Sequence, residues 1–305
     1  LCIYSLCAIV FTRHSKAYTH LLEKRQPAHR DGQTGVENKN STAFLENVMA
    51  FLDGKVIIIL GASNSQSMGA ATARKCIAEG ATVIIAARNE AKVNAVAESL
   101  NCVGVTCDIT QDADIKALAQ TALDRFGHLD AAINFAGVEA GGAIAELDRE
   151  TILHSANVHL AGTALFIRFM ASAMGERGGA IVTTSSQTAL LAPPGLAAYA
   201  GAKAGADHIV RIAANEYGHS NIRINAIAPG FTPTAMTETY LQVPSIEPAF
   251  LKELAMPRLP TAEDIACTAA WLCSDECFIT GDILDLSGGQ TLNRIPTPAE
   301  MMGEG

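Results

Sequence analysis

The stretch "KVIIILGASNSQSMGAATARKCIAEG", Lys55 to Gly80, sets the architecture of the chain. Its first six residues are almost wholly apolar. They lack the polar alternation of a sheet wetted on one side, so the run reads as a strand buried on both faces. A turn follows from Gly61 to Gly69, and then an Ala-rich segment that ends at Gly80 and reads as a helix. Strand, glycine turn and helix together form a setting in which a dinucleotide's pyrophosphate meets a helix N-terminus. Only the two ends of this turn are glycine, and serines fill its middle, so the turn alone decides little.

The same alternation continues downstream. "ATVIIAAR", "VGVTCD", "LDAAINFAG", "GGAIVTTSS", "NIRINAIAPG" and "GDILDLSGG" read as six further strands. Between them lie helical segments, among them "EAKVNAVAESL", "DADIKALAQTALDRFG", "AAYAGAKAGADHIVRIAANEYG" and "TAEDIACTAAWLCS". The longest, "RETILHSANVHLAGTALFIRFMASAM", reads as one continuous helix. The pattern predicts an α/β fold. It is a single Rossmann-type, doubly wound parallel sheet of about seven strands with helices on both faces. Residues 49–294 make up that domain, followed by a tail at 295–305. Residues 231–260 break the rhythm and hold five of the eleven prolines, which marks them as a lid or substrate-binding segment.

The chain has 305 residues, of which 49% are apolar, enough for a full core. Aromatics are only 5%, so Ala, Val, Ile and Leu must build that core. A net charge of -9 without a long basic run argues against nucleic-acid binding. No apolar run reaches the roughly 18 residues that span a bilayer, so no membrane partner is expected. The eight cysteines are scattered and form no Cys-x-x-Cys pair, which argues against a metal site and for reduced thiols in the cytoplasm. The first methionine is Met49, and "MAFLDGKVIIILGAS" reads as a natural start. Residues 1–48 therefore read as an upstream extension, a translation artefact or a poorly ordered leader; a targeting leader is the competing reading.

Chemistry concentrates in "SSQTALLAPPGLAAYAGAK". Tyr199 and Lys203 are four apart on a helix and share one face. Ser186 lies thirteen residues before Tyr199, at the end of a strand, where parallel sheets gather catalytic groups. A phenol with a pKa of about 10 is a poor base near neutral pH, and a neighbouring ammonium favours the phenolate. The expectation is that Lys203 lowers the Tyr199 pKa towards working pH. Ser186 would steady the developing alkoxide, and Lys203 would also hold the nicotinamide ribose.

These residues resemble the short-chain dehydrogenase/reductase family, over residues 51 to about 292. "AAINFAG" is similar to its Asn-Asn-Ala-Gly segment, with Asn134, Ala136 and Gly137 kept and Phe135 in place of the second Asn. "TCDIT" offers Asp108 and Ile109 where the family borders the adenine ring. "INAIAPGFTPT" offers Asn225, Pro229, Gly230, Thr232 and Thr234 where it meets the nicotinamide carboxamide. "SDECFITGDILDLSGG" resembles its C-terminal strand, closing on Gly288 and Gly289. In the turn, Gly61, Ser63, Ser67, Met68 and Gly69 are the implied phosphate contacts. Nine residues separate first from last Gly inclusively, an arrangement similar to the enoyl-reductase branch. Ser67 then stands where a middle glycine often stands, and its hydroxyl and amide are expected to meet phosphate. The enoyl-reductase branch spaces its Tyr and Lys seven apart; here the spacing is four, as in ketone and alcohol enzymes.

The resemblance also frames the cofactor. NAD-using members place an acid at the end of strand two. Here Ala87 stands there, followed by Arg88, and a guanidinium pairs well with phosphate. NADP(H) is therefore preferred, with NAD(H) as the alternative. In "VHLAG", His159 replaces the family's water-holding Asn. It is expected either to hold that water or to titrate and shuttle protons itself, against the competing reading of a satisfied core histidine. The family implies an oxidoreductase acting on a small carbonyl or alcohol, 3-oxoacyl reductase-like or a general ketone reductase, assembled as a homodimer or homotetramer. Residues 138–147 and 231–260 are expected to line its pocket. Enoyl reduction and an inactive nucleotide-sensing protein are the alternatives.

Overall fold

The computed structural model describes residues 50–304, so the expectations for residues 1–48 lie outside the described residues. Seven parallel strands form one sheet in the order β3-β2-β1-β4-β5-β6-β7. They are β1 (Val56–Leu60), β2 (Thr82–Ala87), β3 (Val103–Thr106), β4 (Ala131–Asn134), β5 (Gly179–Thr184), β6 (Ile222–Pro229) and β7 (Ile283–Leu286). The order reverses at β1, between β2 and β4. At such a switch point the loops leaving neighbouring strands turn to opposite faces and open a crevice.

Period-two alternation sends successive residues of each strand to opposite cores. Ile57 and Ile59 of β1 face one layer with Val83, Ile85, Ala131 and Ile133. Val56, Ile58 and Leu60 face the other with Ile84, Ala132 and Ile181. On the first face lie α1 (Met68–Ala78), α2 (Glu90–Leu100) and α9 (Ala262–Leu272); on the second lie α3 (Asp112–Phe126), α5 (Gly162–Met174) and α6 (Ala197–Tyr217). Small residues set the approach of α1 to α9, where Ala71, Ala262 and Ala266 pack together. Phe166 is the one aromatic among the largest fully buried side chains, which are otherwise Leu and Ile. The aliphatic core follows from the composition.

The long helix expected from residue 149 is interrupted. It runs as α4 (Arg149–Ala156), a π turn (Asn157–Ala161) and α5. The Gly162 N–H reaches back to the Asn157 carbonyl, five residues away, in place of the usual four. Gly162 also lies against Ile109, where a Cβ would come within 2.8 Å of the Ile109 side chain. The run Arg149–Arg177 is long and apolar enough to cross a membrane by length and composition, yet half of its most apolar window is buried in the fold.

The proline-rich segment carries α7 (Glu238–Leu241) and α8 (Ile246–Glu253). Phe231 stacks on Phe250 with 4.3 Å between centroids. The tail contributes a short helix, α10 (Pro298–Met301), started by a Thr297–Glu300 capping box. Ile295 and Met301 pack into the cluster of Ile246, Phe250 and Leu259, so the tail packs onto the proline-rich segment.

Candidate active site

Two adjoining cavities open above the carboxyl ends of the strands. One, of about 340 Å³, is lined by Gly61, Ser63, Ser67 and Met68 from the glycine turn. Arg88, Asp108, Ile109, Ala136, Gly137 and Thr234 complete its expected walls. The other, of about 350 Å³, holds Ser186, Tyr199, Pro229, Gly230, Thr232 and Thr234. Met68, Thr234 and Met236 line both.

The glycine turn is built for close approach. Gly61 has φ +102°, and a Cβ there would lie 2.6 Å from the Phe135 carbonyl carbon. A Cβ on Gly69 would lie 2.6 Å from the Gly61 oxygen. These two positions need glycine, and the serines between them do not have to supply it. Ser67 is the N-cap of α1: its Oγ accepts from the Ala70 N–H at 3.1 Å and donates to the Asn64 carbonyl at 2.7 Å. Its own N–H donates to the same carbonyl at 3.0 Å. Ser67 thus caps α1 while it also lines the cavity where it is expected to meet phosphate. The first-turn N–H groups of Met68 and Gly69 have no intrahelical acceptor.

Asn134, at the end of β4, is buried and accepts the Ala136 N–H at 2.9 Å, which bends the chain into the Ala136–Gly137 wall. Asp108 accepts from the Thr110 N–H and hydroxyl at 2.9 and 2.8 Å. Ile109 is buried beside it. Beyond the expected residues, Lys92 lines the same cavity as Arg88. It lies one turn into α2, whose N-cap Asn89 accepts the Lys92 N–H at 2.9 Å.

Tyr199 and Lys203 project from one face of α6 towards Ser186, just past β5. Lys203 is buried, donates from Nζ to the Thr184 carbonyl at 2.5 Å, and lies 5.7 Å from the Tyr199 ring centroid. Burial lowers the Lys203 pKa to about 8, against the upward pull of Asp207 one turn further on. Asp207 is itself buried and accepts from Ser185 Oγ at 2.8 Å. Burial raises the Tyr199 pKa, a hydrogen bond with Ser186 lowers it, and Glu139 raises it. The lowering expected from Lys203 is not found: burial is the largest cause, and the net direction is upward. Thr188 donates to Ser186 Oγ from its hydroxyl at 2.9 Å and its N–H at 3.2 Å, leaving the serine proton free to point onward.

His159 sits in the π turn, fully inside this cluster. Its Nε2–H donates to the Val138 carbonyl at 2.8 Å, and the buried Nδ1 has no partner. Burial and Lys203 lower its pKa to about 4. A titrating shuttle at neutral pH, one of the two expected roles, therefore gives way to a neutral acceptor.

The substrate-side walls differ in part from expectation. Residues 231–260 contribute Phe231, Met236, Tyr240, Ile246 and Phe250, and the tail adds Ile295 and Met301. From residues 138–147, Glu139 alone reaches this cavity, where it accepts from the Tyr240 hydroxyl of α7. Ile144 is instead 78% exposed, two residues past an isolated bridge between Gly142 and Leu196. Among the described residues no group of three His, Cys, Asp or Glu side chains is placed to hold a metal.

Comparison with known proteins agrees with this geometry. A family model described as enoyl-(acyl carrier protein) reductase matches residues 61–291. The chain belongs to the short-chain dehydrogenase/reductase family. A 2,5-dichloro-2,5-cyclohexadiene-1,4-diol dehydrogenase of Sphingobium indicum is 35% identical over 250 residues, covering 80% of this chain and 99% of that one. A meso-2,3-butanediol dehydrogenase of Serratia marcescens is 31% identical, covering 78% and 95%. A short-chain type dehydrogenase/reductase structure from Mycobacterium ulcerans matches with a TM-score of 0.78 at 26% identity, covering 82% of this chain and 94% of that one.

Proposed function

We propose that this chain is an NADP(H)-preferring oxidoreductase that interconverts a ketone and a secondary alcohol. The observation that carries the reading is the pair Ser186 and Tyr199 lining one of two adjoining cavities, with the buried Lys203 beside the Tyr199 ring. The names of the relatives, which act on alcohols, support the same chemistry. The dinucleotide would supply or accept the hydride. Its pyrophosphate would meet the Met68 and Gly69 amides, its adenine would lie by Asp108 and Ile109, and Arg88 with Lys92 would face a 2′-phosphate. Pro229, Gly230, Thr232 and Thr234 would border the nicotinamide.

Tyr199, whose pKa burial raises, would give its proton to the substrate oxygen in reduction and take it in oxidation. Ser186 would donate to the same oxygen. Lys203 would hold the ribose, and the neutral Nδ1 of His159 would accept a hydrogen bond in the proton path. Exposed Ile152 and Leu153 of α4 and Ile212 of α6 support assembly as a dimer or tetramer through these helices. The six described cysteines are all free, which supports a cytoplasmic site.

The deciding experiment follows NADPH oxidation with a panel of neutral ketones and with a 2-enoyl thioester, using Tyr199→Phe as control. Ketone turnover that falls about 100-fold or more in the variant supports the reading. Turnover of the enoyl thioester alone moves the assignment to enoyl reduction, which the name of the matching family model favours. NADPH binding without turnover of anything moves it to nucleotide sensing.

A further inference from the structure

Tyr199 is the third residue of α6, in a first turn that its own sequence holds weakly. Leu196, at the N-cap position, makes no side-chain cap bond, and Ala197, Ala198 and Ala200 bring no polar side chain. A helix start without a cap leaves its first N–H groups without partners and frays. The isolated bridge from Gly142 ends at Leu196, before the helix begins. The proton donor of the proposed reaction therefore stands where a helix does least to fix itself.

The fixation comes from another element. Ser155 is the one buried residue of α4, with no exposed surface, and its Oγ donates to the Ala198 carbonyl at 3.1 Å. Ala198 directly precedes Tyr199. Among the described residues this is the one side-chain hydrogen bond to the backbone of residues 196–200. A serine inside a helix commonly returns its hydroxyl to the carbonyl four residues back in its own helix. Ser155 reaches across to α6 instead. Four residues further on, His159 lies edge-on to the Tyr199 ring. The two side chains thus meet successive residues of α6, one at the backbone and one at the ring.

We propose that Ser155 is a positioning residue for Tyr199: its hydrogen bond to the Ala198 carbonyl fixes the first turn of α6 and so places the phenol at the reacting oxygen. The inference rests on the carbonyl–alcohol reading above and goes beyond it. Ser155 lines neither the dinucleotide cavity nor the substrate cavity, so it acts only through the backbone it holds. A shift of about 1 Å in a reacting group costs about 100-fold in rate, so a tie one residue from the phenol has leverage on the chemical step.

The test pairs kinetics with hydrogen exchange. Ser155→Ala removes a single oxygen, and the Ala198 carbonyl keeps its place in the α6 ladder, so the variant should fold. Single-turnover oxidation of NADPH is followed with the fastest ketone of the panel above. Ser155→Ala should slow it about tenfold, while NADPH affinity and the KM of the ketone stay within about threefold. Ser155→Thr, which keeps the hydroxyl, should be faster than Ser155→Val, which keeps only the shape. With NADPH bound, hydrogen exchange over residues 197–203 should speed up about five- to tenfold in Ser155→Ala and stay unchanged over α3. A tie that serves stability alone would lower the melting temperature and leave the single-turnover rate as in wild type, and that result overturns the proposal. Unchanged exchange over residues 197–203 overturns it as well. If wild type turns over no ketone, the carbonyl–alcohol reading fails, while the exchange measurement still decides whether Ser155 holds the Tyr199 segment.

Discussion

The imidazole of His159 stands edge-on to the Tyr199 ring, with 5.0 Å between centroids and 88° between planes. This contact keeps a histidine in an apolar pocket, where burial and Lys203 lower its pKa to about 4. Against an unfolded value near 6.5, the unfolded chain binds the extra proton between those two limits. Stability should therefore be full above about pH 6.5 and fall as the pH drops towards 4, by about 3 kcal/mol from this group alone. Urea unfolding of wild type and His159→Asn across pH 4–7 checks it, and the variant should show the shallower loss. At pH 7 His159→Asn should keep turnover within about tenfold, whereas His159→Leu, without an acceptor, should lose more. Parallel stability profiles for wild type and His159→Asn would refute the pKa assignment.

Ser67 offers a cleaner separation of roles. As N-cap of α1 it satisfies the Ala70 N–H. Ser67→Ala should cost about 1 kcal/mol of stability, and Ser67→Gly only a few tenths. NADPH affinity of the folded Ser67→Ala protein should stay within about twofold, because the proposed phosphate donors are the amides after it. A tenfold loss of affinity at unchanged stability would return Ser67 to the phosphate site.

The fold was legible because a parallel sheet covered on both faces needs near-continuous apolar strands, as in "KVIIIL" and "ATVIIAAR", and their spacing left no other arrangement. Ser186, Tyr199 and Lys203 were legible because helix spacing and the strand end bring them together in any such fold. What stayed hidden depends on local hydrogen bonding. The π turn at Asn157–Ala161 takes only one residue more than an α turn, and in an apolar, Ala-rich run that small shift of period is hard to read. The Ser67 cap was hidden because a serine in a glycine turn reads equally as cap or phosphate ligand. Ser155 and Asp207 were missed because burial, not residue type, gives them their roles. The pocket contribution of the tail depends on a fold-back that eleven residues with two prolines do not announce.

Arg88 and Lys92 line one cavity, and no acid stands at the end of β2 between them and a 2′-phosphate. Arg88→Ala should weaken NADPH about tenfold or more and leave NADH nearly unchanged, and Lys92→Ala should act in the same direction with a smaller effect. Fluorescence titration with both dinucleotides measures it. A wild-type preference for NADH would sink the cofactor assignment.

Asp207 lies one helical turn beyond Lys203 and pulls its pKa upward against burial. Removing the negative charge in Asp207→Asn removes that pull, so Lys203 should lose its proton at lower pH. The neutral amine is a weaker donor to the Thr184 carbonyl and to a ribose. The alkaline limb of the kcat/KM profile should therefore move down by about one pH unit, with the plateau near pH 6 within about threefold of wild type. An unshifted limb would mean that Asp207 acts only through its hydrogen bond from Ser185.

The tail closes the substrate cavity from above. Ser245 Oγ donates to the Met301 carbonyl at 2.6 Å, and Arg294 pairs with Glu253 of α8 at 2.9 Å. Ile295 and Met301 then complete an apolar wall over the stacked Phe231 and Phe250. Ending the chain after Asn293 should expose that wall without touching the two main cores. Each lost apolar side chain removes up to about 1.5–3 kcal/mol of burial, part of which is shared with bound substrate. KM for an apolar ketone should rise about tenfold, while kcat and NADPH affinity stay within about threefold. The melting temperature should fall by only a few degrees. An unchanged KM in the truncated protein would mean that the lid seals the cavity by itself.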